Sequence, residues 1–204
     1  TASTLATDNF NTVLYTGNSA ANRAISGVGF SPDWLWIKNR SNAYSHMIYD
    51  VVRGAGEYIS SDGNGAEATG SHMNSFDSDG FTVSFATSNR TNINGNTYVA
   101  WNWLAGTAFS NDASATSVGD TDSAGQVNAT AGFSIATYTE PSSAFSFKHG
   151  LGVQPDMFIF KNRDSTENWI VWHKDFGSAT NNGLYLNGTN SQFSAGSNWL
   201  TAID

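Results

Sequence analysis

The chain contains no cysteine. That excludes disulfide staples, thiolate metal sites and a cysteine nucleophile, and it leaves the redox compartment unread. Charged residues fill only 13% of its 204 positions, against roughly 25% in an average soluble domain. The charge it does carry leans negative: 9 Lys+Arg face 17 Asp+Glu, for a net charge of -8 and a pI near 4.7. Such a surface repels phosphate backbones, so no nucleic-acid partner is expected. No apolar run approaches the roughly 18 residues of a membrane helix, and no signal peptide is evident, so no membrane insertion is expected. The chain opens on Thr1 rather than Met, which reads as a processed chain or a fragment.

Glycine, asparagine, serine and threonine take the place of charge, and aromatics reach 13% with 7 Trp, 7 Tyr and 13 Phe. That is ample core material, and it argues against disorder. A composition poor in helix formers and rich in strand and turn formers predicts an all-β chain.

An internal repeat organises the sequence. Residues 10–54 align with 133–177 at a constant offset of 123, without a gap and with 13 identities in 45 positions. The identities cluster. Gly27-Val28-Gly29-Phe30-Ser31-Pro32-Asp33 matches Gly150-Leu151-Gly152-Val153-Gln154-Pro155-Asp156, and Lys38-Asn39-Arg40 matches Lys161-Asn162-Arg163. Self-similarity of this kind predicts two copies of one module. The first spans 1–106 and closes on Thr97–Trp103 (TYVAWNW); the second spans 131–204 and is expected to be incomplete at its C-terminal end, because no such closing segment falls within it. Residues 107–130 have the small, polar composition of a linker.

Short β-rich runs recur between turn signals: Asn11–Thr16, Trp34–Asn39, His46–Val52, Phe81–Phe85 and Tyr98–Trp103. This spacing predicts two tandem, related β-sandwich modules of jelly-roll-like form. In Trp34–Asn39 both faces are apolar at first, so this strand is expected to be central and mostly buried.

Candidate chemistry is sparse. The four histidines have no metal-ligand spacing, and no G-x-S-x-G or P-loop pattern occurs. No motif singles out a glycosidase-like carboxylate pair, and the chain is not expected to be an enzyme. Asp77-x-Asp79-Gly80 resembles the start of a calcium loop, but a strand follows where further ligands are needed; Asp77 and Asp79 are kept as a calcium candidate beside the simpler reading of a turn. No other cofactor is indicated. The repeated Lys-Asn-Arg triplet reads as a strand-end structural device, with an anion contact as the alternative. Trp101 and Trp103 alternate onto one strand face; with Trp172 and Trp199 they form a candidate glycan platform, against the reading that they are core.

The combination TVLYTGN, GVGFSPDWLWIKNRS, HMIYDVVRG, SFDSDGFTVS and YVAWNW resembles a repeated domain of structural, tail-fibre-like virion proteins of marine tailed phages. HGLGVQPDMFIFKNRDSTENWIVWHKDFG looks like the partner module that follows it. The resemblance covers about residues 8–106 and 131–200 and carries no catalytic residues over. It implies a virion component exposed on the extracellular particle, at a tail fibre or the capsid surface. Its role would be host-surface adhesion or decoration, its partners other virion proteins, further copies of itself and a host glycan. The alternative is a glycan-depolymerising enzyme or a carbohydrate-binding module on the same fold.

Overall fold

A computed structural model describes residues 6–85, 90–176 and 182–194. The chain is all-β, with every strand pairing antiparallel. The first half contributes β1 (Phe10–Thr16), β2 (Arg23–Ser26), β3 (Trp34–Asn39), β4 (Met47–Asp50), β5 (Glu57–Tyr58), β6 (Ala68–Thr69), β7 (Met73–Asp77), β8 (Gly80–Val83) and β9 (Thr97–Trp103). One sheet runs β1-β9-β3-β4 and a second runs β2-β8-β7, with β5 and β6 as a small ribbon.

Strand alternation makes these two sheets a sandwich. From the first sheet Tyr15, Leu35, Ile37, Met47, Tyr49, Tyr98 and Ala100 point inward; Ile25, Met73, Phe81 and Val83 meet them from the second. Tyr15 stacks on Tyr98 at 4.9 Å. The buried Asn39 is satisfied within this core, donating from Nδ2 to Tyr98 Oη. As expected, β3 is an interior strand of its sheet.

The second half contributes β10 (Thr107–Asn111), α1 (Ala113–Thr116), β11 (Ser123–Asn128), β12 (Phe133–Tyr138), β13 (Met157–Phe160), β14 (Ile170–His173), β15 (Asn182–Tyr185) and β16 (Phe193–Ser194). These make the sheets β10-β11-β12 and β13-β14-β15-β16. Residues 107–130 are therefore not a free linker. Their small residues are strand residues in close quarters: a Cβ on Gly125 would lie 1.8 Å from the carbonyl oxygen of Ile135 on β12. Composition alone reads such a stretch as loose, because nothing in it shows that it packs against a neighbour.

The repeat is reproduced in three dimensions. In β3–β4 the opposed pairs are Trp34–Asp50, Leu35–Tyr49, Trp36–Ile48 and Ile37–Met47. In β13–β14 they are Met157–His173, Phe158–Trp172, Ile159–Val171 and Phe160–Ile170, each displaced by 123. The bend before each hairpin takes a positive φ at both glycines: 90° at Gly27 and Gly29, 87° at Gly150 and 72° at Gly152. L-residues rarely adopt that conformation.

Two of the contacts that join the halves stand out. Trp169, 6% exposed, packs with Ile48 and Ile59 of the first half and donates from Nε1 to the carbonyl oxygen of Ser60 at 3.0 Å. Glu67 is held between two guanidinium groups. Arg53 of the first half donates to it at 3.1 Å and Arg163 of the second at 3.0 and 2.6 Å. The Glu67 N–H also donates to the Arg163 carbonyl. Removing Trp169 takes out the one tryptophan that the described residues of the second half bring to this cluster. Trp169→Ala is expected to cost about 3–5 kcal/mol, read as a lowered urea midpoint; an unchanged midpoint would show that the halves do not depend on this contact.

Candidate functional site

The outer face of the first sheet is aromatic where a solvated face would be polar. Alternation that points Tyr98, Ala100 and Asn102 inward points Trp101 and Trp103 outward, beside Trp36 and Trp34 of β3. Two rows cross the sheet: Phe10–Trp103–Trp34–Asp50 and Thr12–Trp101–Trp36–Ile48. In the first row Trp103 contacts Phe10 and Trp34, each at 4.6 Å between centroids. Phe133 of β12 covers it, 6.1 Å from Trp103 and 6.2 Å from Trp34. In the second row Trp101 meets Trp36 edge to face at 6.0 Å, and Trp36 donates from Nε1 to His46 Nδ1 at 2.7 Å. Both indoles stay partly exposed. Beyond them the face opens to solvent at Leu14, 62% exposed and two residues along β1 from Thr12.

This geometry sorts the tryptophan candidates. Trp101 and Trp103 share one face, as alternation predicts. Trp103 sits within a packed aromatic group, whereas Trp101 stands at the more open end. Trp172 does not belong to the platform. It is 1% exposed and stacked on Phe158 at 4.8 Å, because its place in β14 points it into the second half's core, as Tyr49 points in β4. Trp199 lies outside the described residues.

Both calcium candidates are engaged by hydrogen bonds within the turn and its neighbours. Both oxygens of Asp79 accept from the bend glycines, Oδ2 from the Gly27 N–H and Oδ1 from the Gly29 N–H. These hydrogen bonds hold its carboxyl below the usual range. Asp77 accepts from the hydroxyls of Ser75 and Thr82. Among the described residues, no three His, Cys, Asp or Glu gather as a metal-binding group. The Lys-Asn-Arg triplet is mainly structural in both copies. Lys38 Nζ donates to the carbonyls of Asn39, Asn42 and Tyr44, and Lys161 Nζ to those of Asn162 and Ser165. Asn39 Oδ1 and Asn162 Oδ1 each close a turn by accepting two backbone N–H groups.

A polar groove of about 350 Å³ lies in the second half, lined by Ser110–Asp112, Asp122–Ala124, Thr137–Thr139 and Arg163. Asp112 caps α1, accepting from the Ser114 hydroxyl and the Ala115 N–H, and these bonds lower its pKa. Asp122 accepts from the Ala113 N–H. Sequence reasoning missed this groove because its walls come from segments far apart in the chain. It also missed Trp169, although a signal was there: Trp169 stands where the first copy has His46, and such a break marks a residue serving the other copy.

A family model described as domain of unknown function (DUF7483) matches residues 5–203. No curated protein and no solved structure matches the chain.

Two histidines make the first half sensitive to acid. Burial lowers the pKa of His46, with Lys38 adding to the effect and Asp62 opposing it. Its bond from Trp36 also requires an unprotonated Nδ1. Burial and then the Arg90 cation lower that of His72. Both groups bind protons more tightly in the unfolded chain, so their stabilising contribution is full above about pH 6.5 and is lost as pH falls through the lowered values. Melting temperature should therefore drop between pH 7.5 and 5, and less steeply for His72→Gln. A flat profile through that window would refute the assignment.

Proposed function

The chain belongs to the DUF7483 family, and for this member we propose a structural and adhesive role on a virus particle. In this reading it is a β-sandwich component exposed at a tail fibre or capsid surface, assembled with other virion proteins and with further copies of itself. The outer aromatic face takes a host-surface glycan. The observation that carries the reading is the partly exposed Trp101–Trp36 pair, open toward Leu14. Indole faces accept the C–H faces of sugars, and an aromatic surface left uncovered marks a site of recognition. The resemblance of the repeat motifs to tailed-phage structural proteins points the same way.

A second reading has its own support. Asp112 and Asp122 line one groove with Tyr138, and paired carboxylates are the equipment of glycan hydrolysis. Against it, both are engaged by backbone N–H groups, and Asp112 is held below its ordinary pKa, the opposite of what a general acid needs.

A glycan array with product analysis separates the two. The expected result is specific binding without cleavage. Trp101→Ala should weaken it at least about ten-fold while Asp112→Asn and Asp122→Asn leave it unchanged. Cleavage abolished by either asparagine variant would establish the enzyme instead, and the absence of any glycan binding would leave particle architecture without adhesion.

A further inference from the structure

The two copies differ in one respect that the sheet topology makes visible. In the first half, β9 runs between β1 and β3 and bonds to both. Their counterparts in the second half, β12 and β13, lie in different sheets, and each ends its sheet. Among the described residues no strand lies between them.

The open edge of β12 is the one that corresponds to the β9 side of β1. In the first half the Gly17 N–H donates to Asn96 O, so Gly17 and, two and four residues back, Tyr15 and Val13 turn their backbone groups toward β9. Their counterparts at the offset of 123 include Tyr138 and Ala136. On β12 the Ile135 carbonyl lies against Gly125 of β11. Ile135 therefore faces β11, and Ala136 and Tyr138 face away from it. The groove described above opens here, between Thr137–Thr139 at the end of β12 and Arg163 just after β13. In the first half Leu14–Thr16 and Arg40 occupy these places and enclose the start of β9; the Arg40 N–H donates to Thr97 O. One end of the gap is closed, since the Arg163 carbonyl accepts from the Glu67 N–H.

We propose that the second half is an acceptor for a further extended strand with the chemistry of β9, which adds along β12 and β13 as β9 does along β1 and β3. The first half states the chemistry of the occupant. It alternates tyrosine or small residues on one face with aromatic and β-branched residues on the other, as Tyr98, Ala100 and Asn102 alternate with Val99, Trp101 and Trp103. A second copy does not supply its own β9, because that strand is bonded on both edges within its sheet. Strand addition of this kind draws affinity from main-chain hydrogen bonds and specificity from alternate side chains.

The test uses the full chain and a synthetic peptide copying Asn96–Leu104, extended by lysines for solubility. Binding should be saturable and at least about ten-fold tighter than for a scrambled peptide. It should slow amide exchange at Ala136, Tyr138 and Ile159. A probe N-methylated at its tyrosine and alanine, whose N–H groups would face β12, should bind at least about ten-fold more weakly; this control asks nothing of the protein's folding. Ala136→Pro, which removes a donor from the open edge only, should also abolish binding. Failure of the peptide to bind, equal binding of the scrambled or N-methylated probe, or exchange protection confined to the first half would each overturn the proposal.

Discussion

The constraint behind this architecture is that the central strands of the first sheet, β3 and β9, are apolar on both faces. Leu35, Ile37, Tyr98 and Ala100 need one covering layer; Trp34, Trp36, Trp101 and Trp103 need another. A single sandwich covers only the first set. The second half supplies Phe133, Trp169 and Ile159 to the outer side, so tandem duplication gives the outer face a partner. The coverage is uneven. It is closest at the Trp34–Trp103 row and thins toward Trp101 and Leu14, and the uncovered end is where recognition chemistry has room.

What the copies keep and what they change follows from that division. They keep residues that serve the backbone: the paired bend glycines, Asp33 and Asp156 at the hairpin entry, and the lysine and asparagine that tie the strand end to its loop. The Asp33 carbonyl accepts from the Val51 N–H, and the Asp156 carbonyl from the Lys174 N–H, again at the offset of 123. These roles depend on local geometry, which is the same in both copies. Residues on the sheet faces change, because each copy meets different neighbours. Trp36 becomes Ile159, and His46, a hydrogen-bond partner on the rim, becomes Trp169, a buried anchor.

The same division explains what the sequence revealed. Turn chemistry and period-2 alternation are local, so the strands, the bends and the all-β class could be read from it, as could the shared face of Trp101 and Trp103. Coverage is not local. Whether an outward Trp lies under Phe133 or in solvent depends on a residue far along the chain. Trp172 looked like platform material by type, yet its register places it where Tyr49 sits in the first copy, in the core; applying the repeat offset to that position would have shown it. The strands in 107–130 stayed hidden because Gly, Ala and Ser are chosen there for closeness to β12, and closeness leaves the same composition as slack.

Electrostatics is concentrated where the halves meet. With so few basic residues, the pairing of Arg53 and Arg163 on one carboxylate is a large commitment. Burial alone would raise the pKa of Glu67, yet hydrogen bonds from Arg163 and Arg53 outweigh it and hold the carboxyl below its usual range. Arg53 is further tied to Asp50 and to the Ile48 carbonyl. An isolated surface ion pair contributes little. This one is partly buried, bidentate on the Arg163 side, and continuous with a backbone hydrogen bond from Glu67, so it fixes orientation as much as it adds stability. Arg163 also lines the groove at the end of β12. The residue that locks the two halves together thus also lines the groove beside the edge of β12 that no described strand covers, so the junction and that edge share a side chain.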